Sequence, residues 1–95
     1  MRILGFCIVT YDIPDDRLRY AVANKLKDYG LERLQLSVFQ GYLTRNHAEE
    51  LAIEIRKLLG DEEADVRIFF ICEKCRERAI VVKERYIIEE EIVIT

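Results

Sequence analysis

A two-layer α+β domain with the element order βαββαβ is predicted by three features of the chain. An almost unbroken apolar run, Ile3-Leu4-Gly5-Phe6-Cys7-Ile8-Val9, stands near the start; two segments repeat apolar residues at helical spacing; and a second long apolar run covers Val66 to Cys72. Runs of this length bounded by turn residues read as buried strands, and stripes at i, i+3, i+4 read as helices lying on a sheet. At 95 residues the chain can build one core, and oligomerisation would add to its stability.

Strand one takes about residues 3–11 and reaches the surface at Tyr11-Asp12, where Pro14 stops it from continuing. Helix one starts at Asp15 or Asp16, either of which can cap it, carries Leu18, Val22, Leu26 and Tyr29 on one face, and ends at Gly30. Leu34 to Phe39 and Gly41 to Leu43 read as two short strands joined tightly around Gln40-Gly41. Asn46 with Glu49 forms a capping box for helix two, whose stripe is Ala48, Leu51, Ala52, Ile55, Leu58 and Leu59 before Gly60. Asp61-Glu62-Glu63 is a solvated turn ahead of the last core strand, Val66 to Cys72.

This order is that of the ferredoxin-like fold, whose helices cover one sheet face and leave the other open. Strands one and four are apolar on both faces, and a bare apolar sheet should not meet water. With Leu4, Phe6 and Ile8 read toward the helices, Ile3, Cys7 and Val9 face away, and the expectation is a homodimer packed sheet to sheet through them. Residues 1–82 make the domain. Residues 83–95, with Tyr86-Ile87-Ile88 and Ile92-Val93-Ile94 about a solvated Glu89-Glu90-Glu91, supply an extra C-terminal strand expected to pair with the partner's edge.

The net charge of −3 is unevenly placed: residues 1–47 hold seven Lys/Arg against five Asp/Glu, residues 48–95 eight against thirteen. The basic surplus lies beside Asp12, where an anionic partner would approach. No stretch approaches the ~20 apolar residues of a membrane span, and the first apolar run lacks the cleavage pattern of a signal peptide, so a cytoplasmic protein is expected. With 35% charged residues and no Trp, the composition leans toward a thermophile.

Asp12 is the first candidate for chemistry. A carboxylate fixed at the end of a rigid strand loses little entropy on taking a hard cation. Magnesium prefers one or two carboxylates plus several waters, and a single chain offers too little.

The residues Val9-Thr10-Tyr11-Asp12-Ile13-Pro14-Asp15-Asp16, then Arg19, Gly30-Leu31, Arg33, Gln35, Ser37-Val38-Phe39, Gly41 and Leu43-Thr44 closely resemble the small CRISPR-associated Cas-two family. The resemblance runs from strand one to about Val82. The Tyr-Asp-Ile-Pro turn and the Gln-x-Ser-Val-Phe strand are specific together. It implies a ferredoxin-like dimer in prokaryotic antiviral defence, a partner of the Cas-one integrase in capturing spacers, and an endonuclease dependent on Mg2+ or Mn2+ acting on single-stranded RNA or duplex DNA. By the same resemblance Asp12 is the catalytic, metal-coordinating acid, the twofold axis of the dimer brings the two Asp12 carboxylates near one another so that they could hold one ion, and Arg19 aims its guanidinium at a phosphate near it. Arg33, taken as the start of a strand parallel to strand one, would grip nucleic-acid backbone away from Asp12. Ser37 is placed to orient the metal shell or a phosphate, while Tyr11 and Phe39 either stack a base or pack. Ala21 stands where some relatives carry another basic residue and removes one phosphate contact. The residues without the resemblance equally admit a ferredoxin-like regulatory or toxin-like interaction module.

His47 is the single histidine, and the topology puts it at the sheet end opposite Asp12, as an exposed residue rather than a general base. Cys72-x-x-Cys75 offers only two of the four ligands zinc needs. It reads as structural thiols, as a local disulfide, or as half of an intersubunit zinc site.

Overall fold

β1 (Leu4–Asp12) is the central element of the sheet, flanked by β3 (Val38–Thr44) on one side and β4 (Asp65–Ile71) on the other. The computed structural model describes residues 3–84. The remaining elements are α1 (Asp16–Asp28), β2 (Glu32–Gln35), α2 (Arg45–Leu59) and α3 (Glu73–Glu77). The strand order is β2-β3-β1-β4, antiparallel throughout. The architecture is ferredoxin-like, α+β, as the element order predicted. The strand expected within residues 83–95 lies outside the described residues but for Lys83 and Glu84, which are in no element.

Helices α1 and α2 cover one sheet face, and Val22, Leu26, Leu51 and Ile55 meet Cys7, Val9, Phe39 and Leu43 in a single core. The side expected to face the helices is therefore corrected: Cys7 and Val9 are wholly buried beneath them, and Leu4, Phe6 and Ile8 lie on the open face. A strand buried on both sides is apolar at every position, so its alternation carries no phase, and a shift of one residue exchanges the faces.

The hairpin is also placed differently. The turn is Leu36-Ser37, not Gln40-Gly41, and Gly41 lies inside β3 opposite Cys7. Glycine is needed there for close approach, since a Cβ on Gly41 would stand 2.6 Å from Leu31 Cδ2 and 3.3 Å from Leu31 Cα. An extra residue in β2 between Arg33 and Gln35 forms a bulge next to the turn.

Asp15 caps α1, its Oδ1 accepting the Leu18 N–H at 2.9 Å, and Gly30 stands just past the helix at φ 84°. The cap of α2 lies two residues earlier than expected. Thr44, buried at the end of β3, accepts the His47 N–H at 3.1 Å, so the Asn46–Glu49 box does not form. A hydroxyl already placed by the strand costs less to order than an exposed amide, and such a cap stabilises by about 1 kcal/mol. Helix α3, which had no sequence counterpart, packs Arg76 over the Phe6 ring at 4.6 Å and covers part of the open face.

Candidate metal and nucleic-acid site

Asp12 stands at the exposed end of β1, and the chain behind it is fixed. Ile13 is buried, and the Arg19 guanidinium folds back over the turn, donating to the Ile13 carbonyl at 3.1 Å and the Pro14 carbonyl at 3.4 Å while pairing with Asp16. The Asp12 carboxylate makes no hydrogen bond or ion pair within the described residues. Its neighbour across the sheet is Asp65, the first residue of β4, so two carboxylates share this edge. They are not equivalent. Asp65 is held in a fork by Arg67, Nε to Oδ1 at 2.8 Å and Nη2 to Oδ2 at 3.1 Å, and those bonds hold its carboxyl below the ordinary carboxylate range. The Asp65 charge is thereby compensated, and Asp12 remains the uncompensated one.

The other wall is the β2–β3 turn. Tyr11 N–H donates to the Ser37 carbonyl at 3.1 Å, fixing the turn beside the last residues of β1. The Leu36 carbonyl accepts twice, from Tyr11 Oη at 2.9 Å and from Arg33 Nη1 at 2.7 Å. Burial pushes the Tyr11 hydroxyl up from its ordinary value, and the positive charges of Arg33 and Arg19 oppose that shift. Arg33 also lies 4.9 Å from the centre of the Phe39 ring.

Asp12, Arg19, Tyr11, Ser37 and Arg33 thus gather at one end of the sheet. For Arg33 this reverses the expectation that it lies away from Asp12. With the turn at Leu36-Ser37, β2 is short and Arg33 pairs with Phe39, which pairs in turn with Val9 near the end of β1. Phe39 is wholly buried and Tyr11 5% exposed, so both rings pack and neither presents a face on which a base could stack. Asp65 and Arg67 escaped the sequence reading because only the β1–β4 register places them opposite Asp12 and Thr10. His47 lies at the far end, half-exposed, with Nε2 4.0 Å from Glu50. Cys72 and Cys75 are free and exposed at the start of α3, where hydrogen bonds from the Cys75 backbone and thiol pull the Cys72 thiol down.

Among the described residues no group of three or more His, Cys, Asp or Glu is placed to hold a metal ion. Asp12, a strand-end carboxylate without an ion pair among the described residues, would offer a magnesium ion that keeps most of its waters a single ligand, and a fuller site would need a second chain. No helix among the described residues is long and apolar enough to cross a membrane.

The fold and the site together define a ferredoxin-like domain with an exposed strand-end acid between an arginine-braced turn and a hairpin turn. Residues 5–79 match the family model of CRISPR associated protein Cas2, and the chain belongs to that family. It is 39% identical over 80 residues, 84% of this chain and 94% of the relative, to CRISPR-associated endoribonuclease Cas2 2 of Chloroflexus aurantiacus. It is 49% identical over 61 residues, 64% of this chain and 67% of the relative, to CRISPR-associated endonuclease Cas2 2 of Thermus thermophilus. Among solved structures, a hypothetical protein, TT1823 of Thermus thermophilus, superposes with a TM-score of 0.68 at 43% identity, covering 74% of this chain and 84% of that one. A chain of a partial Cas6-RT-Cas1–Cas2 complex shares the fold, with a TM-score of 0.72 at 19% identity over 85% of this chain and 88% of that one.

Proposed function

We propose that this chain is a dimeric endonuclease of CRISPR spacer acquisition, cutting RNA or duplex DNA with magnesium or manganese at Asp12 and docking a Cas1 integrase. The relatives' names, endoribonuclease and endonuclease, support the nuclease reading, and the Cas1 named in the structurally similar assembly supports the partner. The observation that carries it is the position of Asp12. In the β1–β4 register Asp12 stands two pairs beyond Thr10, on the open face with Leu4, Phe6 and Ile8. Leu4, Tyr42 and Phe69 are exposed on that same face, so a second copy packing there brings its own Asp12 toward the first. The apolar face and the free acid then require the same partner.

In this reading Asp12 and its counterpart in the second copy would hold a divalent ion, whose charge would polarise a phosphate and acidify a water. Asp12 supplies charge without having to reorganise, because the strand and the buried Ile13 hold its backbone. Arg19 keeps the turn rigid and offers its remaining N–H groups to a neighbouring phosphate, and Ser37 borders the site from the hairpin. The protein is expected in the cytoplasm, where such substrates are met.

Asp12→Asn keeps the side-chain shape and removes the charge. Cleavage of single-stranded RNA or duplex DNA should fall on the order of 10³-fold, about 4 kcal/mol at ~1.4 kcal/mol per tenfold, while binding changes little. EDTA should abolish wild-type cleavage. Activity surviving both treatments would remove Asp12 and the metal from the mechanism.

A further inference from the structure

We propose that Arg33 is a positioning residue: together with Tyr11 it clamps the Leu36 carbonyl and so fixes the β2–β3 turn, with Ser37, against the end of β1 next to Asp12. It does not grip nucleic acid. The proposal rests on the reading of the Asp12 end as the cleavage site.

Three observations carry it. The Leu36 carbonyl has two acceptor lone pairs, and both are occupied from within the fold, by Arg33 Nη1 at 2.7 Å and Tyr11 Oη at 2.9 Å. The guanidinium lies over the Phe39 ring at 4.9 Å, and Phe39 is wholly buried, so one face of the cation is sealed by the core. Arg33 Nε is buried with no hydrogen-bond partner among the described residues. A guanidinium that reads phosphate needs its donor fork open to the ligand. Both guanidinium groups are bonded within the fold, Arg33 to one carbonyl and Arg19 to two carbonyls and Asp16, but Arg33 has its Nε buried and one face against Phe39, whereas the Arg19 side chain is 45% exposed and keeps N–H groups toward solvent.

The bulge explains why an arginine is required. The extra residue between Arg33 and Gln35 shifts the β2 register just before the turn, so the ladder alone does not hold Leu36 and Ser37 in place. A long, planar donor anchored on an aromatic ring restores the lost restraint. The Tyr11 N–H to Ser37 carbonyl bond at 3.1 Å then couples the turn to the residue preceding Asp12.

The test uses Arg33→Ala, Tyr11→Phe, the double variant and Arg19→Ala in the full chain, with single-stranded RNA as the probe. For Arg33→Ala the expectation is a kcat lowered about tenfold with KM within about twofold, and faster amide exchange over residues 36–38. The salt slope of RNA binding should match wild type, while Arg19→Ala shallows it by about 0.7 for one lost phosphate contact. Tyr11→Phe should reproduce the loosened turn, and the double variant should cost less than the two singles added. A shallower salt slope in Arg33→Ala, or unchanged exchange over 36–38 in both single variants, would overturn the proposal. Should Arg33→Ala fail to fold, Tyr11→Phe gives the same exchange readout. A wild-type protein that cleaves nothing defeats the nuclease reading and leaves the exchange arm intact.

Discussion

On the helix side of the sheet Cys7, Val9 and Phe39 are wholly buried and Leu43 is 3% exposed, whereas on the opposite side Leu4, Tyr42 and Phe69 remain 61%, 42% and 49% exposed. The two faces are built from the same strands and comparable side chains, and they differ in what covers them. Two amphipathic helices close the first face, tied together where Tyr29 Oη donates to Glu54 and Lys25 Nζ stands 3.0 Å from the same carboxylate. On the second face α3 gives partial cover, through Arg76 over Phe6 at 4.6 Å and over Tyr42 at 5.6 Å and through Glu73, which accepts from Tyr42 Oη at 3.3 Å. One face stabilises the monomer, and the other is an apolar surface suited to a partner.

The largest expected effect that separates the faces is Phe39→Ala. It removes a wholly buried ring from the covered side and should lower unfolding free energy by about 3–5 kcal/mol in urea titrations. Phe69→Ala, on the open side opposite Ile8, should leave the stability of the dilute monomer within about 1 kcal/mol of wild type. Sedimentation should show its dimer weakened by about 2 kcal/mol or more, roughly 30-fold. If Phe69→Ala unfolds the monomer as Phe39→Ala does, or leaves the dimer untouched, the division of labour between the faces is wrong.

The smallest effect concerns the tie between the helices. Hydrogen bonds from Tyr29 and Lys25 hold the Glu54 carboxyl below its ordinary value of 4.5, and the bond to Glu54 pushes the Tyr29 hydroxyl up to about 12. A depressed acid stabilises above its unfolded pKa and ceases to as pH falls through the folded one. A raised phenol stabilises below its ordinary value of 10.0 and ceases to as pH rises toward about 12. The advantage of wild type over Tyr29→Phe should therefore be full between about pH 5 and 9 and shrink on both sides. Urea midpoints across pH give the measurement, and a pH-independent difference would mean that the tie is not electrostatic.

The order of elements was legible in the sequence because each relies on local chemistry. The stripe Val22, Leu26 needs only the helical period, Asp15 caps the helix that starts at Asp16, and Gly30 and Gly60 end their helices by backbone freedom. Asp12 was legible for a similar reason, since a carboxylate closing an apolar run just ahead of Ile13-Pro14 marks a strand end. Register and phase were decided only by the tertiary structure. Cys7 and Val9 went beneath the helices, the turn settled on Leu36-Ser37 where Gly41 was needed to let Leu31 approach, and Arg33 was thereby brought to the Asp12 end. Each of those outcomes depends on pairing between strands far apart in the chain. A central strand apolar on both sides carries no local signal of which face it will bury.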